Sequence, residues 1–102
     1  MTDLFSKIKE VTEISAISAH EGPVRTYLRE KMTPHVDEMV TDGLGGLFGI
    51  KHSNLADAPR VLVASHMDEV GFLVSEIKAD GTFRVVEIGG WNPLVVSSQR
   101  FK

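Results

Sequence analysis

The chain has 102 residues, 42% of them apolar and 25% charged, with a formal net charge of −3 and no cysteine. That length suits one small domain or part of a larger one. The acidic balance, with no Lys/Arg cluster, excludes a nucleic-acid footprint. The absence of thiols excludes disulfides and leaves His, Asp, Glu or water to hold any metal. No apolar stretch is long enough to cross a bilayer, and Met1-Thr2-Asp3-Leu4 lacks the basic region and apolar core of a signal peptide. A cytoplasmic protein is the simplest expectation.

Residues 3 to about 15 predict an amphipathic helix, with Leu4, Ile8 and Val11 at i, i+4, i+7, Phe5 alongside, and Thr2 or Asp3 as cap. Glu10, Glu13, Lys7 and Lys9 form its wet face. The small, polar stretch from Ile14 to His20 reads as a connector. A second helix starts with Gly22 as N-cap and Pro23 at the first helical position. Val24, Tyr27, Leu28 and Met32 make its stripe, Glu21 caps or charges its start, and Pro34 ends it.

Beyond it the periodicity becomes that of strands. Val36 to Thr41 and Leu47 to Lys51 predict a hairpin-like pair around Asp42-Gly43 and Gly45-Gly46. His52 to Pro59 is a polar loop. The run Val61-Leu62-Val63-Ala64-Ser65 predicts a strand buried on both faces, as in a parallel sheet under helices. Phe72 to Ile77 and Phe83 to Ile88 flank Ala79-Asp80-Gly81, a second hairpin. Gly89-Gly90-Trp91-Asn92-Pro93 is a turn, and Leu94 to Phe101 predicts a further strand. That last stretch carries no stop signal, as expected of a chain truncated within a strand.

His66 and Asp68 follow the buried run directly. Ligands of open α/β sheets sit outside the carboxyl ends of the strands, and residues i and i+2 of a strand point to one side. A metal-ligating imidazole needs an acceptor on its second nitrogen, which Asp68 supplies in this pattern. Two readings therefore stand side by side: a metal ligand with its orienting carboxylate, and a strand-end histidine capped by a loop aspartate. Glu69 faces the other way, with a structural or supporting role. His20, His35 and His52 lie scattered on loops or helix ends as solvated side chains. No nucleophile elbow, phosphate loop or Cys/His dyad is present.

Four stretches occur in order: Glu21-Gly22-Pro23-Val24-Arg25 within Ser18 to Arg25, Asp42-Gly43-Leu44-Gly45-Gly46-Leu47, Ser65-His66-Met67-Asp68-Glu69-Val70-Gly71-Phe72, and Ile88-Gly89-Gly90-Trp91-Asn92-Pro93. Together they resemble the amino-terminal part of the tetrahedral (TET-type) cocatalytic metallo-aminopeptidases, and within that family the glutamyl aminopeptidases. One departure is visible: Gly46 stands where the family commonly has asparagine, a change expected to loosen a turn.

The resemblance implies an α/β fold: residues 1–70 as the amino-terminal portion of a catalytic three-layer α/β sandwich, and 71–102 as the beginning of an inserted β-rich dimerisation domain. It implies His66 as ligand to one of two zinc or cobalt ions, and Asp68 as the catalytic-site carboxylate orienting that imidazole. It also implies peptide substrates with a free N-terminus, Glu/Asp preference, and a homo-oligomer, dodecameric in the complete enzyme. Members are much longer, and their other ligands and general base fall beyond this motif, so the chain alone is expected to be inactive. Two alternatives remain. One is a non-catalytic oligomerisation or partner-binding module, suggested by a β-rich second half whose edges recruit strands. The other is a related metal-dependent carboxypeptidase or deacylase.

Overall fold

The computed structural model describes residues 3–102; the possible cap Thr2 lies outside them. Helix α1 runs over Leu4–Thr12, where the Asp3 carboxylate accepts from the Phe5 N–H at 3.1 Å. It stops short of residue 15 because the Thr12 hydroxyl turns back onto the Ile8 carbonyl at 2.8 Å and Glu13 caps the last turn. Helix α2 covers Gly22–Met32. Its N-cap is Glu21 rather than Gly22, so Pro23 still falls in the first turn, where a missing N–H costs nothing. A 3-10 turn over Thr33–His35, containing Pro34, finishes it.

Strands β1 (Glu38–Thr41) and β2 (Leu47–Ile50) pair antiparallel, Glu38 opposite Ile50 and Thr41 opposite Leu47. The turn between them is a local carboxylate device. Asp42 Oδ1 accepts from the N–H groups of Leu44 at 3.0 Å and Gly46 at 2.7 Å. A β-carbon on Gly46 would lie 2.8 Å from Asp42 Oδ2, so a side chain at this position would require that carboxylate to shift.

The expected buried strand from Val61 is corrected by the structure. Val61, Leu62 and Val63 are 82%, 82% and 91% exposed and belong to no ladder. An apolar run specifies a need for neighbours on both edges and both faces, and among the described residues no strand lies alongside it. Leu62 and Ala64 instead line a cleft of about 670 Å³ together with Leu28, Met32 and Phe48. The stretch touches a ladder only at its end, where Glu69 makes an isolated parallel bridge with Ile17.

The second hairpin forms as predicted: β3 (Gly71–Ile77) and β4 (Phe83–Ile88) pair antiparallel, with a register shift between Val74 and Glu76. The expected strand Leu94 to Phe101 does not form. Pro93–Val96 is a helical turn, α3, because the Asn92 side chain accepts from the Leu94 N–H at 3.1 Å and Pro93 takes the first helical position.

The result is an α/β arrangement with two separate two-stranded sheets. Among the described residues only Ala16 and Val24 are buried apolar side chains, each 3% exposed. The Cα radius of gyration is 18.5 Å, against roughly 13 Å for a compact domain of this length. No helix among the described residues is long and apolar enough to cross a membrane.

Candidate functional site

His66 and Asp68 are in direct contact. His66 Nδ1 lies 2.9 Å from the Asp68 main-chain oxygen and 3.1 Å from its Oδ1. Both partners only accept, so Nδ1 carries the hydrogen and the neutral ring keeps its lone pair on Nε2. The His66 side chain is 86% exposed, so Nε2 is open to a ligand. A carboxylate on one imidazole nitrogen with the other left free is the arrangement metal-ligating histidines require.

The other Asp68 oxygen is also engaged. The Ser18 hydroxyl donates to Oδ2 at 2.5 Å. This hydroxyl is the main influence holding the Asp68 carboxyl below the usual aspartate range; partial desolvation opposes it, and the His66 ring adds to the lowering. Ser18 was missed by local pattern reading because 50 residues separate it from Asp68. Only its place at the start of a family-like stretch marked it.

The connector at residues 14–20 is therefore a structural part of the site. His20 N–H donates to the Ile17 carbonyl at 2.8 Å, closing a turn in which Ala19 adopts φ of 69°. Glu21 Oε1 accepts from the Ala19 N–H at 2.8 Å, and its other oxygen lies 3.6 Å from Arg25 Nη2. Arg25 Nε in turn donates to the Gly45 carbonyl at 2.7 Å. Glu21 thus tethers the Ser18 turn to α2 and, through Arg25, to the β1–β2 turn.

Glu69 has the structural role its position suggested. It joins main chain and side chain to Ala16. Below it, Ile17 packs on the backbone of Gly71 in space a β-carbon would need. The Trp91 indole donates to the Gly71 carbonyl at 3.0 Å and stacks on Phe72, ring centroids 4.6 Å apart. These contacts fix the start of β3 relative to the His66–Asp68 pair.

The remaining histidines join no cluster. His52 Nε2 lies 2.6 Å from Glu38 Oε1 on the β1–β2 hairpin; His35 ends the 3-10 turn and His20 sits in the Ser18 turn. No group of three or more His, Asp or Glu among the described residues is arranged to hold a metal ion. The pair therefore fits one ligand position of a metal centre, with its orienting partner.

Residues 45–102 match the family model described as M42 glutamyl aminopeptidase. The chain belongs to the M42 glutamyl aminopeptidase family. It is 62% identical over 99 residues to a glutamyl aminopeptidase of Lactococcus lactis subsp. cremoris, a match that covers 97% of this chain and 28% of that protein. Among solved structures, a TET aminopeptidase from Thaumarchaeota archaeon SCGC AB-539-E09 superposes with a TM-score of 0.77 at 39% identity, over 85% of this chain and 24% of that one. A Thermotoga maritima protein described as an endoglucanase superposes with a TM-score of 0.78 at 38% identity, over 86% of this chain and 28% of that one. The M42 chain described here thus spans about a quarter of the length of these relatives.

Proposed function

We propose that this chain is the amino-terminal part of an M42 aminopeptidase and contributes one metal ligand, His66, to a dimetal centre completed by residues outside it. The observation that carries this reading is the commitment of His66 Nδ1 to two acceptors of Asp68, which leaves Nε2 free on an exposed ring. In this reading Asp68 keeps the hydrogen on Nδ1 and holds the plane of the ring, and His66 presents Nε2. Two divalent ions, zinc or cobalt, supply Lewis-acid polarisation of the scissile carbonyl and activation of water when bound.

The substrates are peptides with a free N-terminus. The 62% identity to a protein named a glutamyl aminopeptidase supports a preference for N-terminal Glu or Asp. The likeness to a protein described as an endoglucanase supports the shared fold more than glycoside hydrolysis. That protein shares 38% identity with this chain, against 62% for the glutamyl aminopeptidase.

Residues 1–70 then form the amino-terminal portion of a three-layer α/β sandwich. Further strands and helices of the complete enzyme cover Val61 to Val63. Residues 71–102 begin an inserted β-rich dimerisation domain of a homo-oligomeric, dodecameric enzyme, and the exposed apolar residues of β3 and β4, including Val74, Ile77, Phe83 and Val86, leave a face for further chain or a second copy to cover. The enzyme is cytoplasmic in this reading.

The test is hydrolysis of Glu-p-nitroanilide by the complete polypeptide and by the 102-residue chain. Chelator-sensitive turnover by the first and none by the second, with zinc or cobalt added, is expected. Robust chelator-sensitive turnover by the 102-residue chain would overturn the reading, because the described residues hold one ligand only.

A further inference from the structure

We infer that Ser18 is a positioning residue of the metal centre, acting on His66 through Asp68. The inference rests on the functional reading above and extends it to a residue outside the His66 motif. The Ser18 hydroxyl donates to Asp68 Oδ2 while Oδ1 and the main-chain oxygen of the same residue accept from His66 Nδ1. A carboxylate held by one oxygen swings about its Cβ–Cγ bond. One bonded at both oxygens presents a fixed plane to the imidazole.

The turn that carries Ser18 is built for this placement. Ala19, directly after it, holds φ of 69°, a left-handed conformation that an alanine adopts only when its surroundings impose it. The imposing contacts are the Glu21 carboxylate on the Ala19 N–H and the His20 to Ile17 hydrogen bond. Leading into the turn, Ala16 and Ile17 are clamped to Glu69 and Gly71. The strained turn is thus anchored to Glu69 and Gly71, directly after His66 and Asp68 in the chain, which aims the hydroxyl at one oxygen. The connector thereby bears on the metal centre without supplying a ligand.

The experiment uses the complete polypeptide and reads zinc affinity by competition with a chromophoric chelator, together with the visible spectrum of the cobalt-loaded form. Loss of a partner in the outer shell of a metal ligand costs about 10–100-fold in affinity. Ser18→Ala is expected near the bottom of that span, about 10-fold, with an altered cobalt spectrum and unchanged melting of the metal-free protein. Ser18→Thr, which keeps the hydroxyl, restores the affinity. Because Ser18 acts through Asp68, the double variant Ser18→Ala/Asp68→Asn binds zinc no more weakly than Asp68→Asn alone.

Wild-type affinity in Ser18→Ala overturns the inference. So does equal loss in the threonine variant, additivity with Asp68→Asn, or a loss matched by lower melting of the metal-free protein. His66→Ala separates the two levels: if it too binds zinc like the wild type, the functional reading fails, whereas loss there with none in Ser18→Ala sinks only the role of the serine.

Discussion

Glu69 and Ala16 hold each other twice: the Glu69 N–H donates to the Ala16 carbonyl at 2.8 Å, and the Ala16 N–H donates to Glu69 Oε1 at 3.0 Å. One acidic residue thereby closes both hydrogen bonds of a 3%-exposed alanine and ties the connector to the segment that bears His66. Glu69→Ala leaves the Ala16 N–H unpaired in a buried place, a loss of about 1–3 kcal/mol. Glu69→Gln keeps an acceptor at the same reach and is expected to lose less than about 1 kcal/mol. Denaturant unfolding of the complete polypeptide checks both; equal losses in the two variants would mean that the hydrogen bond is not what matters.

Ala19 gives the opposite sign. Its left-handed φ of 69° costs an alanine roughly 1–2 kcal/mol, while glycine visits that region freely at a smaller entropic cost in the unfolded chain. Ala19→Gly is therefore expected to stabilise by up to about 1 kcal/mol, seen as a raised denaturant midpoint with an unchanged slope. A lowered midpoint would show that the turn is not under this strain.

What was legible in the sequence follows range and partner. Pro23 beside Gly22, Asp80-Gly81, and the spacing of His66 and Asp68 are local signals, and the structure shows a helix start, a hairpin turn and a side-chain contact there. Asn92-Pro93 reads as a turn and the apolar run after it predicts a strand, whereas the structure forms a helical turn capped by the Asn92 side chain. Val61 to Val63 misled for another reason. Their composition describes an environment, and none of the described residues provides it. The Ser18–Asp68 contact is set by tertiary packing across 50 residues, which no periodicity records.

The exposed run itself is testable. Val63 is 91% exposed here, yet the functional reading places it in a covered strand of the complete enzyme. There, Val63→Asp buries an unpaired charge and is expected to cost at least about 3 kcal/mol, read as loss of soluble expression of the complete polypeptide. Normal expression with unchanged melting would show that the segment stays uncovered.

Asp80 predicts a local acid response. Its carboxylate accepts from the Thr82 N–H at 3.0 Å and the Thr82 hydroxyl at 2.7 Å, and these bonds, the N–H first, hold its carboxyl below the ordinary aspartate value. A carboxyl lowered on folding stabilises the turn above its unfolded value, and that contribution is lost as pH falls through the folded value. The Thr82 amide resonance of isotope-labelled protein should titrate with a midpoint below that of a free aspartate. A midpoint at or above it would contradict the turn described here.

The metal content of the complete polypeptide, wild type against His66→Ala, bears most directly on the whole account. Elemental analysis after exhaustive dialysis should find two divalent ions per chain in the wild type and one fewer in a still-folded His66→Ala. Two ions retained in the variant would show that the imidazole beside Asp68 is no ligand.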